Sequence, residues 1–438
     1  MKNQNSFRKL MLLIIITSLV LILTACSGAE SVFQGGSRSQ IQVSDLPRVE
    51  LDDYPAESLA QLAAGNTSFA LDLYQYINSR EGNLFYSPYS ISSALAMTYA
   101  GAEGKTAQEM ESVFHFLMEE DKLHPAFNAL DQHLVSLANM DIPEDQGDPF
   151  QLNIANAIWG QKDFHFEADF LDILAANYGA GLRLLDYVEE PEESRQNINQ
   201  WVSDQTQEKI QDLIPQGAIN SDTRMVLSNA IYFKATWLEQ FEVIFTDAGI
   251  FTGLNGEQMP VTMMQHGSDP RFQYYQGDGF QAVDLPYVGN QVSMLVLVPD
   301  QGRFLDFEDG FTSQTLDHIL EELAYTPVAI TFPKFEFESE ISLANILAEM
   351  GMPSAFNAEA DYSGMTGSKE LFISDVFHKA YIKVDEEGTE AAAATAVLME
   401  LTSAPENPIQ LTVDRPFLFL IRDHETNSIL FLGRVVSP

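Results

Sequence analysis

Few residues in this chain have the types and spacing that chemistry needs. Gly104-Lys105-Thr106 has the ending of a phosphate-binding loop, in which lysine meets phosphate oxygens and threonine meets a metal. The leading glycine of that motif would stand where the chain has Tyr99, and the segment follows a helical pattern instead of a strand. Gly277-Asp278-Gly279 lacks the strand-helix-strand unit of a dinucleotide site and reads as a turn. The eight histidines are scattered, without a His-Glu-x-x-His pair. No Gly-x-Ser-x-Gly nucleophile elbow is present, and Met263-Met264 and the aromatic residues fit core packing better than a cofactor box. The single cysteine, Cys26, excludes an intrachain disulfide and a cysteine-rich zinc site. The sequence therefore predicts no enzyme, no metal and no cofactor.

Another stretch stands out, Glu386 to Ser403, EEGTEAAAATAVLMELTS. At period two, Thr389, Ala391, Ala393, Thr395, Val397, Met399 and Leu401 form an uncharged set, and the alternate set holds Glu390 and Glu400. As a strand, one face could lie on a core and the other in water. The alanine run favours helix by propensity, but helical spacing gathers no apolar stripe before Val397, Leu398 and Leu401. The segment is ambivalent: exposed in one state, able to be a strand in another.

The 438 residues are 45% hydrophobic, enough for a sizeable core. A net charge of -40 and a pI near 4.3 exclude a nucleic-acid partner and electrostatic attachment to anionic lipid. Residues 1–25 read as an export signal: Lys2, Arg8 and Lys9, then an uncharged apolar run from Leu10 to Leu23 that is too short to span a bilayer. Leu23-Thr24-Ala25-Cys26 resembles the lipobox of bacterial lipoproteins, which implies cleavage before Cys26 and a lipid on it. An exported, lipid-anchored protein at the cell envelope or cell surface is expected, with the lipid as its only membrane contact. Residues 26–57 read as a tether, and 58–438 as one globular domain without a second linker or repeat.

Helical patterns dominate the first half, among them Ser58–Ser79, Ser90–Ala100 and Glu193–Leu213. Strand patterns begin at Gln151–Trp159 and dominate the later chain, among them Thr223–Phe233, Pro327–Glu338, Phe377–Val384 and Phe417–Asp423. This order predicts an α+β domain with large sheets.

Asp385-Glu386-Glu387-Gly388-Thr389-Glu390-Ala391-Ala392 resembles the hinge of serpins, the loop-inserting serine protease inhibitors. Asn83-Leu84-Phe85-Tyr86-Ser87-Pro88-Tyr89-Ser90-Ile91, the run Leu227 to Trp237, Phe377-His378-Lys379-Ala380 and Leu411-Thr412-Val413-Asp414-Arg415-Pro416-Phe417 resemble further serpin motifs, in the family's order. The resemblance implies a single domain of three β-sheets and about eight or nine helices. It implies an exposed reactive-centre loop over 386–408, and no catalysis by the chain itself.

A protease would cut that loop as substrate, and the cut loop would then insert as a strand in the central sheet. The hinge would be Gly388, Thr389, Glu390, Ala391, Ala392, Ala393, Ala394 and Thr395. By resemblance Ser87, Ser90, Asn229 and His378 form a buried polar latch below the opening sheet (the shutter). Trp237, Lys334 and Glu386 mark its top (the breach), with an ion pair expected between Lys334 and Glu386. The family's hinge-to-bond spacing puts cleavage at Thr402–Ser403, with Leu401–Thr402 and Met399–Glu400 left open. These residues suit elastase-, subtilisin- or chymotrypsin-like serine proteases. No Arg or Lys stands between Lys383 and Arg415, so a trypsin-like target is not expected. The inhibitor is expected to be a monomer. The alternative is a non-inhibitory serpin acting as a binding or chaperone module.

Overall fold

The structure, a computed structural model, describes residues 39–51, 54–143, 150–266, 270–389 and 408–438. The expected signal segment, Cys26, Glu390 to Thr395 of the hinge, and Leu401, Thr402 and Ser403 lie outside the described residues.

The element that decides the architecture is a seven-stranded sheet. Its strands are β1 (Gln40–Gln42), β2 (Gln151–Gln161), β3 (Leu182–Leu185), β4 (Met225–Thr236), β5 (Phe335–Ser342), β6 (Asp375–Val384) and β7 (Gly388–Thr389), in the spatial order β1-β3-β2-β4-β7-β6-β5. β4 reads MVLSNAIYFKAT and is buried on nearly every residue, as a strand covered on both faces must be. β7 touches only one end of the gap between β4 and β6. Below it, β4 and β6 pair directly and in parallel, from Asp375 opposite Val226 to Tyr381 opposite Tyr232.

A second, ten-stranded assembly accounts for the other two expected sheets. The strand Ala324–Pro333 pairs through its first half with Arg271–Gly277, and through its second half with Gln258–Gln265 and Ile409–Thr412. One strand thus serves two sheets and fuses them. The chain was expected to run as a single strand over Pro327–Glu338. It instead leaves the second assembly at Pro333 and joins the first as β5 at Phe335, with Lys334 between. Proline cannot donate to a ladder, and the break falls just after one.

Among the described residues there are ten α-helices, against eight or nine expected, the shortest being Ser363–Thr366 and Phe304–Asp309. Helix α1 (Ala56–Ile77) and helix α2 (Pro88–Tyr99) pack in the main core. α2 opens with Ser87 as its N-cap, whose Oγ accepts from Ser90 N–H, and Pro88 takes the first turn, where a missing N–H costs nothing. Nearly all of α2 is buried, so it runs beneath the sheet with little face to water.

The other face of the sheet is covered by helix Pro191–Gln205 and the turns after it. There Ile198, Val202, Leu213 and Ile214 pack on Trp159, Ala230 and Phe377 as a separate small core. The helix is shorter than the expected Glu193–Leu213. It ends at Gln205, and Gln207, Glu208 and Asp212 take left-handed backbone angles that no helix continues through.

The stretch expected to be a tether docks on the body from Ser39 onward. β1 pairs antiparallel with β3, and Arg48 bonds Asn128 and Asp131, both at 2.7 Å. Val49 N–H donates to Ala176 O at 2.8 Å. A three-residue strand held by partners distant in sequence leaves no periodicity to read.

Candidate functional site

The site is the end of the seven-stranded sheet where β4 and β6 part. Gly388 stands opposite Thr236, and Thr389 stands between Ala235 on β4 and Val384 on β6, antiparallel to both. Gly388 is needed there because a Cβ would lie 2.1 Å from Ala235 O and 2.8 Å from Thr236 Cα. Thr389 is buried and shares a 2.7 Å hydrogen bond with the Tyr287 hydroxyl, which burial keeps protonated. Tyr287 stacks on Trp237 with ring centroids 4.5 Å apart. The Trp237 indole N–H donates to Asp385 O at 3.1 Å, and its backbone N–H to Glu387 O at 2.9 Å. Trp237 therefore holds the turn that leads to Gly388 and Thr389 in the gap.

Glu386 closes this end. Its carboxylate takes a salt bridge from Lys334 and a 2.7 Å hydrogen bond from Thr246 Oγ1, and its carbonyl accepts from Phe241 N–H at 3.0 Å. Burial opposes ionisation of Glu386, but the bonds from Lys334 and Thr246 outweigh it and hold the carboxyl below its ordinary range. Lys334 reaches Glu386 because it sits at the switch between the two assemblies, where its own N–H donates to Thr262 O at 2.9 Å.

Lower in the sheet lies a polar row in an otherwise apolar layer. Register puts Asn156 of β2 opposite Asn229 of β4, and Asn229 opposite His378 of β6. Ser87 N–H donates to His378 Nε2 at 3.3 Å, so the neutral ring carries its proton on Nδ1 and donates to Asn229 Oδ1. The Asn229 amide then donates to Ser90 Oγ at 2.8 Å and to Asn156 Oδ1. Ser90 Oγ donates to Asn156 Oδ1, and the Asn156 amide to Ser90 O, both at 3.1 Å. Ser87 Oγ anchors the chain of bonds on Leu430 O at 2.6 Å. Burial pushes the pKa of His378 from its ordinary 6.5 down to about 3, so the ring stays neutral.

The structure thus brings Ser87, Ser90, Asn229 and His378 into one network, and Trp237, Lys334, Glu386, Gly388 and Thr389 around one gap. Asn156 belongs to the same row and was not marked by the sequence. One asparagine between Ala155 and Ala157 in a buried strand was its only signal. Among the described residues no group of His, Cys, Asp and Glu is placed to hold a metal.

The sheet is thus parted at one end, with Gly388 and Thr389 seated in the gap. The family profile described as "Serpin (serine protease inhibitor)" matches residues 64–438. An uncharacterized serpin-like protein of Thermococcus kodakarensis is 36% identical over 397 residues, covering 90% of each chain. The leukocyte elastase inhibitor of Homo sapiens is 38% identical over 396 residues, 87% of this chain and all of that one. The crystal structure of the thermophilic serpin tengpin in its native state superposes with a TM-score of 0.79 at 27% identity, over 92% of this chain and all of that one. The chain belongs to the serpin family of serine protease inhibitors.

The polar row has a pH signature. His378 binds a proton in the unfolded chain below about 6.5, but in the fold only near 3, so stability is present above 6.5 and is lost as pH falls toward 3. Glu386, depressed in the fold, loses stability in the same direction below its ordinary 4.5. The urea midpoint should fall from pH 7 to pH 4. His378→Gln should lower it at pH 7 and flatten the decline below pH 6.5. Asn156→Ala, which strands the Ser90 and Asn229 groups, should cost about 1–3 kcal/mol at pH 7.

Proposed function

We propose that this chain inhibits serine proteases as a suicide substrate, its cut loop inserting between β4 and β6. The observation that carries this reading is the antiparallel seating of Gly388 and Thr389 in that gap. The register continues by one residue per rung. Ala391 would fall between Phe233 and Ile382, Ala393 between Ile231 and Ala380, and Thr395 between Asn229 and His378. These are small residues meeting the buried face. On the other face Glu390 would fall between Lys234 and Lys383, opposite charges in one rung. The parallel ladder would be exchanged for two antiparallel ones, and antiparallel pairing is the more stable per residue.

The chemistry is the protease's own. Its serine oxygen bonds to the carbonyl carbon of Thr402 (or Leu401, or Met399), the peptide C–N bond breaks, and the amine of the following residue leaves with the proton. Insertion then carries the ester-linked protease to the far end of the sheet and deforms its active site before water can complete the second half-reaction. The uncharged residue before the bond, in each alternative, favours elastase-, subtilisin- or chymotrypsin-like enzymes, and several relatives carry the name leukocyte elastase inhibitor.

We further propose that the inhibitor is exported and held at the envelope by a lipid on Cys26. The lipobox-like ending Leu23 to Cys26 supports this, together with the acidity that would otherwise keep the chain off anionic lipid. Among the described residues no helix is long and apolar enough to cross a membrane.

An elastase- or subtilisin-like protease should yield a covalent complex that survives denaturing electrophoresis. Thr389→Arg puts a guanidinium where Thr389 is now buried. An unpaired buried charge costs about 3–5 kcal/mol, roughly two to four powers of ten in rate, so the variant should be cleaved as plain substrate. Full trapping by Thr389→Arg would contradict insertion along this register. Normal cleavage of the unmodified chain by a broad panel, without complexes, would favour a binding module. Cys26→Ser should abolish fatty-acid labelling and shift the protein to the soluble fraction, and retained labelling would exclude Cys26 as the lipid site.

A further inference from the structure

The connection that leaves β4 carries an apolar knob. Val243, Ile244 and Phe245 form a single 3-10 turn and are 64%, 77% and 44% exposed, with Leu238 beside them in the chain at 41%. Three consecutive large apolar side chains facing water are a surface no packing within the described residues explains. The turn is firmly held. Phe245 N–H donates to Glu242 O at 2.9 Å, and Thr246 N–H to Val243 O at 3.2 Å. Just before it, Phe241 stacks on His266 at 4.1 Å.

The chain segment that carries the knob holds acidic residues and no basic ones, and the cation placed beside it, Lys334, is paired with Glu386. No Lys or Arg occurs from residue 235 to residue 270, and Glu239, Glu242 and Asp247 flank the turn in the chain. Burial, reinforced by Glu242, pushes the Glu239 carboxyl up.

The knob also adjoins the loop. Thr246, its next residue, bonds the Glu386 carboxylate, and Phe241 N–H bonds the Glu386 carbonyl, three residues before the hinge threonine. The strand after the knob, Asp247–Thr252, lies in the same assembly as Ile409–Thr412, where the chain resumes beyond the loop. A protease bound between Thr389 and Ile409 would meet this end of the molecule.

We propose that Val243, Ile244 and Phe245 are a docking surface for the body of the target protease, outside its active-site cleft. This rests on the reading of the chain as a protease inhibitor. The partner it fits is a protease with an apolar depression near its cleft, rimmed by Lys and Arg. The knob supplies contact area, and the acidic rim steers the approach.

The test uses the full chain and the double variant Ile244→Ser with Phe245→Ser, which leaves Thr246 and the hinge untouched. Binding is measured to elastase-like and subtilisin-like proteases whose catalytic serine is replaced by alanine, and trapping rates are measured with the active enzymes. For at least one enzyme, the variant should bind the inactive form about tenfold more weakly and be trapped about tenfold more slowly, with the number of inhibitor molecules consumed per protease unchanged. Added salt should slow the unmodified chain. Equal affinities and rates for variant and unmodified chain would overturn the docking surface while leaving the inhibitor reading intact. Absence of covalent complexes with the unmodified chain across the panel would overturn both. Self-association of the unmodified chain by light scattering, lost in the variant, would assign the knob to a second copy of this chain and overturn the proposal.

Discussion

The parallel ladder between β4 and β6 is the constraint on which the rest depends. Both strands run the same way, a pairing that needs a crossover, which the about 140 residues of chain between them allow. A segment continuing from the end of β6 and turning back at Glu386 meets both of them antiparallel. Gly388 and Thr389 already occupy the first two rungs of such an antiparallel pairing, and the proposed insertion would extend it. The path below them is closed only by the direct pairing of seven residues on each strand.

Polar groups cross the sheet at two heights. At the top, Glu386 is bonded by Lys334 and Thr246 while Trp237 holds the turn. Lower down, Asn156, Asn229 and His378 span three adjacent strands and tie them to the start of α2 through Ser87 and Ser90. A network in a dry layer is costly to break group by group, because each orphaned donor or acceptor carries its full desolvation cost. A strand that brings its own threonine to that row replaces the bonds it displaces. Under the proposed insertion, the row would favour the closed sheet and still accept a strand that carries a threonine at that height. The outer cover adds a second restraint, since Lys379 on β6 donates to Gln211 O at 3.0 Å and pairs with Glu338 at 2.9 Å.

How far the sequence could be read followed the range of the interactions. β4, β6 and α2 were legible because apolar patterning along a segment is a local signal, and the motifs around Ser87, Asn229 and His378 carried a family resemblance. Asn156 was not legible, since its meaning lies in a cross-strand register that no single segment states. The switch at Lys334 was read as one continuous strand, although Pro333 marked the break. The docked stretch from Ser39, with its three-residue β1, had no periodicity of its own. The strands Asp247–Thr252 and Gln258–Gln265 mix polar and apolar residues and were passed over, and with them the connection that carries Val243 to Phe245.

The central claim is that the loop inserts along the register begun by Thr389. The most direct measurement is a crystal structure of the chain after its loop has been cut by a protease. The account predicts a strand from Gly388 onward between β4 and β6, with Thr395 in the row of Asn229 and His378 and Glu390 between Lys234 and Lys383. A cut chain in which Asp375 to Tyr381 still pair with Val226 to Tyr232 would contradict it.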